Sequence, residues 1–237
     1  IKNLNPDIGI IVAFKKIPKK IWQIPVYGTF NLHASLLPEL RGAAPINWAI
    51  ASGFNQTGVT TFLINEKIDS GKILLQKKVE IDPIDNYKTL HDKLSEIGSD
   101  LVIKTIEFIL NNKGSIQKTT GNEILAPKLT INNTKINWNK KIDEIESFVR
   151  AMSPNPGAWT EISNKKNTIR FKIFKLKILN RIKYKNINIA FTKKNIFVYH
   201  NNGTFSIEEL QMPNKRRMSV KDLLNGYNFD SDLKLVN

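Results

Sequence analysis

The sequence predicts an α/β layer domain followed by a small β-barrel, on three observations. Ile8–Phe14 (IGIIVAF) is a continuous apolar, β-branched run of strand length, the pattern of a strand buried on both faces as in a parallel sheet. Tyr87–Leu110 carries apolar residues at helical spacing throughout and reads as one long helix. The last part of the chain changes to short strand-like runs separated by turn residues, the pattern of a small barrel.

Ile1–Pro6 reads as the tail of a helix and a short loop leading into the Ile8–Phe14 strand. Gly28–His33 is a second short strand, and Ala44–Ser52 is a helix with Pro45 in its first turn, where the missing N–H costs nothing. Thr57–Ile64 and Ile73–Val79 are strands joined by a turn around Asp69-Ser70-Gly71. This βαβ-rich half suggests the α/β layer fold. A polar stretch rich in Asn, Thr and Lys, Asn111–Thr134, then behaves as a linker, and Ile142–Met152 reads as a helix. The barrel strands follow at Trp159–Ile162, Ile169–Leu179, Ile187–Ala190, Ile196–His200 and Thr204–Leu210, before a short terminal helix at Val220–Leu224. No internal repeat and no heptad pattern is present.

With 237 residues the chain has room for two small domains with a sizeable core. It contains no cysteine, which excludes disulfides and thiolate metal sites. His33, His91 and His200 show no metal-ligand spacing, so no metal is predicted. No apolar run is long enough to cross a bilayer and the start lacks a signal-peptide pattern, so a cytoplasmic location and no membrane partner are expected. The chain opens on Ile1 rather than methionine and is expected to be the interior of a longer protein.

The net charge of +15 is unevenly placed. Residues 1–115 carry 14 basic and 11 acidic residues (+3), and residues 116–237 carry 22 and 10 (+12). Such asymmetry points to an anionic partner for the second half, nucleic acid ahead of membrane. The competing explanation is compositional bias, since Lys, Asn and Ile are abundant throughout.

The chemistry-bearing segment is Asn31–Trp48 (NLHASLLPELRGAAPINW), with Lys67–Lys72 (KIDSGK) as its complement. Residues two apart on a strand share a face, so Asn31 and His33 point together, at the strand end where open parallel sheets bind ligands. A neutral imidazole accepts a proton at physiological pH, and a carboxylate such as Asp69 holds its tautomer or shares the proton work. A carboxamide donates to a carbonyl oxygen as it becomes an oxyanion, and losing one such donor elsewhere costs about 3–4 kcal/mol of barrier. Asn, His and Asp therefore suit attack by an amine on an acyl carbon. With no cysteine and no GxSxG elbow, the nucleophile comes from the substrate. The structural alternative is that His33, near Gly and Pro, merely supports a turn, and that Asp-Ser-Gly is an ordinary one.

NLHASLLPELRGAAPINWAI and TGVTTFLINEKIDSGKILLQ closely resemble the methionyl-tRNA formyltransferase family. The likeness continues through APKLTINNTKINWN (Ala126–Asn139), PNPGAWT (Pro154–Thr160) and KRRMSVKDLLNGY (Lys215–Tyr227), covering essentially the whole chain. It implies an incomplete Rossmann-like formyltransferase domain over residues 1–112, a linker over 113–134, and an OB-like tRNA-binding barrel over 135–237. The implied reaction moves a formyl group from 10-formyltetrahydrofolate, as cosubstrate, to the α-amine of initiator methionyl-tRNA, with no metal and a monomeric enzyme. By the family's pattern Asn31 polarises the formyl oxygen, His33 assists proton transfer and stabilises the tetrahedral intermediate, and Asp69 works with it. Ser35, Leu36, Leu37 and Pro38 match the SLLP motif beside the folate. Arg41 and Gly42 follow in the adjoining loop, where a turn with a solvated arginine is the structural alternative.

In the family the catalytic domain begins well before this chain's first residue, with the first strands of the sheet and a basic loop that enters the tRNA acceptor region. Their absence would leave Ile8–Phe14 at an exposed sheet edge. Lys15-Lys16 stands where many members have a glycine-containing turn. The alternatives are a nucleotide-sugar amine formyltransferase, a glycinamide ribonucleotide formyltransferase (which usually lacks the second domain), and a non-catalytic RNA-binding remnant. In the second half, Lys172, Lys175, Lys177, Arg181, Lys183 and Lys185 form a dense basic stretch that is equally a strand's wet face, and Trp159 and Phe171 read as core.

Overall fold

The computed structural model describes residues 1–13, 17–111 and 123–236. After a 3₁₀ turn at Lys2–Leu4 come β1 (Gly9–Val12), α1 (Lys19–Trp22), β2 (Thr29–His33), β3 (Arg41–Gly42), α2 (Pro45–Ala51), β4 (Gln56–Leu63), β5 (Ile73–Glu80), α3 (Tyr87–Leu110) and β6 (Leu125–Ala126). A second 3₁₀ turn, Asn132–Thr134, precedes α4 (Ile142–Met152). The strands β7 (Ala158–Ser163), β8 (Thr168–Asn180), β9 (Asn188–Phe191), β10 (Ile196–His200), β11 (Gly203–Gln211) and β12 (Met218–Ser219) follow, then α5 (Val220–Leu224) and β13 (Lys234–Val236). Two compact units result: Ile1–Ala49 with Phe54–Asp85 and Thr89–Lys128, and Ile50–Gly53 with Asn86–Lys88 and Leu129–Asn237. Phe14 of the expected first strand, the Lys15-Lys16 departure and residues 113–122 of the expected linker lie outside the described residues.

The sheet of the first unit has the order β1-β2-β4-β5. Only β1 and β2 run parallel; β2–β4 and β4–β5 are antiparallel. The expectation that the first strand is buried on both faces is therefore corrected. Ile10 is 44% and Val12 55% exposed, because β1 pairs with β2 alone and no layer covers that face among the described residues.

Along β2 the two-residue alternation assigns each face a task. Leu32 and its cross-strand partner Thr61 meet α3: Thr61 Oγ1 hydrogen-bonds Thr105 Oγ1 at 2.8 Å. Gly98, mid-helix, comes so close that an added Cβ would lie 2.9 Å from Leu32 Cδ2. A glycine there costs roughly 0.5–1 kcal/mol of helix stability, offset by this close approach. With Leu90, Leu94, Leu101 and Thr105, Gly98 forms the buried stripe of α3. Asn31 and His33 take the opposite face, beside Phe62 and Thr60.

The start of α3 is tied by Asp85, a buried carboxylate. Its oxygens accept from the Asp82 amide (2.9 Å), the Thr89 hydroxyl (2.8 Å) and Lys93 Nζ (2.7 Å). Burial pushes this carboxyl upward, but the hydrogen bonds from Lys93, Thr89 and the Asp82 amide outweigh it and hold the group below its ordinary range.

The second unit is a nearly closed barrel of order β13-β7-β8-β11-β10-β9, with β12 on β11 and the end strands β13 and β9 in contact. Its core contains the fully buried Trp138, whose indole N–H donates to Thr160 Oγ1 at 2.8 Å and whose ring meets the edge of Phe205. Helix α4 buries Ile142, Ile145, Val149 and Met152 and packs on β7 and β8. Trp159 and Phe171 are buried, as expected of core residues.

Candidate active site

His33, 6% exposed, sits at the C-terminal end of β2. Its Nε2 lies 3.0 Å from the Leu40 carbonyl oxygen, and its Nδ1 lies 3.8 Å from Asp69 Oδ2. A carbonyl only accepts, so Nε2 carries the hydrogen and the neutral ring keeps its lone pair on Nδ1, facing the carboxylate. Asp69 Oδ2 accepts the Gly42 amide hydrogen at 3.0 Å, which holds it in place. Leu40 and Asp69 both adopt left-handed backbone (φ +56° and +48°), an unfavourable conformation for side-chain-bearing residues, and both aim an oxygen at the same imidazole. Beside them the Asn31 carboxamide has a buried Oδ1 with no hydrogen-bond partner among the described residues. An orphaned buried acceptor costs about 1–3 kcal/mol.

His200 provides an internal comparison. It is equally buried, and its Nε2 likewise donates to a carbonyl, that of Trp138, at 2.7 Å. Its Nδ1, however, accepts the Asn202 amide hydrogen at 3.2 Å. Both nitrogens of His200 are satisfied by backbone, which makes it a core residue, whereas Nδ1 of His33 faces only a carboxylate.

The loop between His33 and Leu40 is clamped from β4 and β5. Thr60 Oγ1 donates to the Ser35 carbonyl (2.6 Å) and accepts from the Leu37 amide (3.1 Å) and Gln76 Nε2 (2.9 Å), which also donates to the Leu37 carbonyl at 3.0 Å. Ser35 is fully buried and its hydroxyl donates to the Glu39 carbonyl at 2.6 Å. Leu37 packs on Phe62 and Ile73, Pro38 is buried, and Leu36 is half-buried against Gly58. The Asp69 turn is clipped by Asn65, which bonds the Lys67 amide, the Ser70 hydroxyl and the Ser70 carbonyl.

A family model described as formyl transferase matches residues 1–106, and one described as formyl transferase, C-terminal domain, matches residues 128–228. A methionyl-tRNA formyltransferase of Flavobacterium johnsoniae is 43% identical over 99% of this chain and 76% of its own length. The chain belongs to the methionyl-tRNA formyltransferase family. Among solved structures, HypX from Aquifex aeolicus in complex with tetrahydrofolic acid superimposes with a TM-score of 0.70 over 98% of this chain, at 16% identity. The chain spans only 43% of that protein's length. WlaRD, a sugar 3N-formyl transferase, gives 0.67 over 91% of this chain and 77% of its own, at 24% identity. These two likenesses concern the fold.

For a methionyl-tRNA formyltransferase family member, the site holds residues that the sequence alone does not single out. Gly42 is the donor to Asp69 and also a point of close backbone approach: at φ +124°, an added Cβ would lie 2.5 Å from the Ala126 carbonyl oxygen. Pairing of β3 with β6 places the chain there, although the two strands have only two residues each. Arg41 is not solvated. It pairs with Glu123 at 2.8 Å, and its Nε is buried without a partner among the described residues. Thr60 had a legible signal in one respect, since it stands directly opposite His33 in the β2–β4 register.

In the barrel, two cations of the dense basic stretch, Lys175 and Arg181, are paired with carboxylates, while Lys177, Lys183 and Lys185 are exposed. Lys175 pairs with Glu208 at 2.8 Å, Lys172 donates to the Pro156 carbonyl, and Arg181 makes a two-pronged bond to Asp143 at 2.7 and 2.9 Å. The Arg181 guanidinium holds the Asp143 carboxyl below its ordinary range. No cluster of three or more His, Asp or Glu able to hold a metal, and no helix long and apolar enough to cross a membrane, occurs among the described residues.

Proposed function

We propose that this chain transfers the formyl group of 10-formyltetrahydrofolate to the α-amine of initiator methionyl-tRNA, acting as a monomer in the cytoplasm. Residues 1–112 carry the chemistry, 113–134 connect, and 135–237 hold the tRNA. The observation that carries the reading is the free Nδ1 of His33 opposite Asp69, next to the unpartnered Asn31 carboxamide.

The methionyl amine attacks the formyl carbon. Asn31 Nδ2 donates to the formyl oxygen as it gains charge, while Asn31 Oδ1 accepts from the incoming amine. His33 Nδ1 takes the proton that the amine must lose, and Asp69 stabilises the imidazolium so formed. The proton then passes to the folate nitrogen as its bond to the formyl carbon breaks, giving formylmethionyl-tRNA and tetrahydrofolate. Because the tautomer is preset by Leu40, the ring does not reorient before it takes the proton. The Ser35, Leu36, Leu37 and Pro38 segment lies beside the folate. The Ser35 hydroxyl is already committed to Glu39, so contact there comes from the loop backbone and Leu36.

The test offers initiator Met-tRNA and a nucleotide-linked amino sugar to one preparation with 10-formyltetrahydrofolate. Formylation of the tRNA is expected. Formylation of the sugar alone would replace the acceptor, and tRNA binding without any formylation would leave the non-catalytic remnant as the better description.

A further inference from the structure

Lys175 and Arg181 are paired with carboxylates and Lys172 is held by a carbonyl, and a larger group of cations without a carboxylate partner is gathered at three strand turns. Lys165 and Lys166 occupy the β7–β8 turn, Lys193 and Lys194 the β9–β10 turn, and Lys215 and Arg216 the β11–β12 turn. All six are exposed, and none forms an ion pair with a carboxylate among the described residues. By contrast, Arg170, on the wall, pairs with Glu161, and Arg217, next to the third turn, pairs with Glu209.

The three turns converge. Strands β7 and β11 both run antiparallel to β8, so the β7–β8 turn and the end of β11 share one end of the barrel. Segment 227–232 then touches all three. Asn164, in the first turn, donates to Asp232 at 2.9 Å and Asp230 at 3.4 Å. Phe229 stacks on Phe191, at the edge of the second turn, with ring centres 4.3 Å apart. Tyr227 meets Phe229 at 4.8 Å and carries Lys215, of the third turn, 5.8 Å over its ring. Six cations thus rim a half-exposed aromatic cluster, with Asp230 and Asp232 the acidic groups inside the rim.

We infer that this turn-bearing end of the barrel, and not the lysine-rich wall of β8, is the surface on which the RNA phosphate backbone docks; this rests on the proposed action on tRNA. Flexible, unpaired ammonium groups release phosphate counterions on binding without first breaking a protein ion pair, whereas Lys175 and Arg181 must give up Glu208 and Asp143. Half-exposed rings among the cations suit ribose and base edges, which a purely acidic protein partner does not offer.

The experiment measures the Kd of labelled initiator tRNA across a salt series, with formyl transfer assayed in parallel. It compares the chain with a rim variant (K165A, K166A, K193A, K194A) and a wall variant (K172A, K175A, K177A). The rim variant should bind ~10-fold or more weakly at about 0.15 M salt, with a slope of log Kd against log salt shallower by about 3. The wall variant should stay within about threefold. Arginine at the same four rim positions should restore affinity, which separates lost charge from lost fold. A rim variant that binds as tightly as the chain, or a wall variant that loses more, overturns the assignment while leaving tRNA formylation intact. A chain that binds no tRNA overturns both the surface and the function on which it rests.

Discussion

The carbonyl of Leu40 stands 3.0 Å from Nε2 of His33 and so decides which nitrogen of the ring is left for chemistry. Asp69 meets the other nitrogen at 3.8 Å, beyond hydrogen-bond range for two acceptors but close enough to stabilise a proton once it arrives there.

Replacing His33 with alanine should therefore lower formyl transfer by ~10²–10⁴-fold, with about 1–3 kcal/mol of stability lost at the Leu40 carbonyl. His200→Ala should spare turnover and cost more stability. It leaves the Trp138 carbonyl and the Asn202 amide without their partner, a loss of about 2–4 kcal/mol in urea unfolding. Near-normal turnover of His33→Ala would refute the site.

Gly42→Ala should be severe and Gly53→Ala mild. Both glycines have positive φ, but a Cβ at Gly42 meets the Ala126 carbonyl at 2.5 Å, whereas at Gly53 nothing lies within 4 Å. Gly53→Ala should cost about 1–2 kcal/mol of stability and spare turnover. Gly42→Ala should displace the amide that holds Asp69 and reduce turnover at least ~10-fold. Equal turnover in the two variants would show that the Gly42 amide is dispensable.

Thr60→Val keeps the shape of the side chain and removes a hydroxyl with three partners. The buried Ser35 carbonyl and Leu37 amide lose it together, so a loss of about 2–3 kcal/mol is expected, with Thr60→Ser close to the parent. Chemical denaturation of the two variants measures the difference.

Asp85 governs the response to acid. Its folded carboxyl titrates below the ordinary value of 3.8, so the stability it contributes is complete above that value and disappears as pH falls through the lower folded one. Asp85→Asn should be less stable than the parent at neutral pH, and the gap should narrow on acidification below about pH 4. A gap independent of pH would mean that Lys93 and its neighbours stabilise the side chain's shape and not its charge.

Much of the scaffold was legible because burial repeats along the chain. The long apolar stripe marked α3, and short strand-like runs between turn signals marked β4, β5, β7, β8, β10 and β11 to within a residue or two. The same period placed Asn31 and His33 on one face. It failed at β1, where a run of apolar residues looks the same whether both faces are covered or only one, and Ile10 and Val12 proved exposed. Asp69 was recoverable only through family likeness, since Asp-Ser-Gly is by itself an ordinary turn. A solvated Arg41 stayed a plausible alternative in the sequence because its partner, Glu123, is distant in sequence and arrives through a two-residue strand pairing with no periodicity to betray it.

Composition and local pattern were thus sufficient for two domains and for Asn31 and His33 on one face of a strand. They could not say which nitrogen of His33 faces Asp69, that Gly42 anchors Asp69, or that Lys175 and Arg181 are paired with carboxylates. Those properties depend on groups brought together by chain reversal: a carbonyl seven residues on, an amide 27 residues away, and carboxylates on other strands and a helix. Periodicity records which face of an element is wet or dry. Hydrogen-bond partners are set by where separate elements meet, and that is settled only when the whole chain packs.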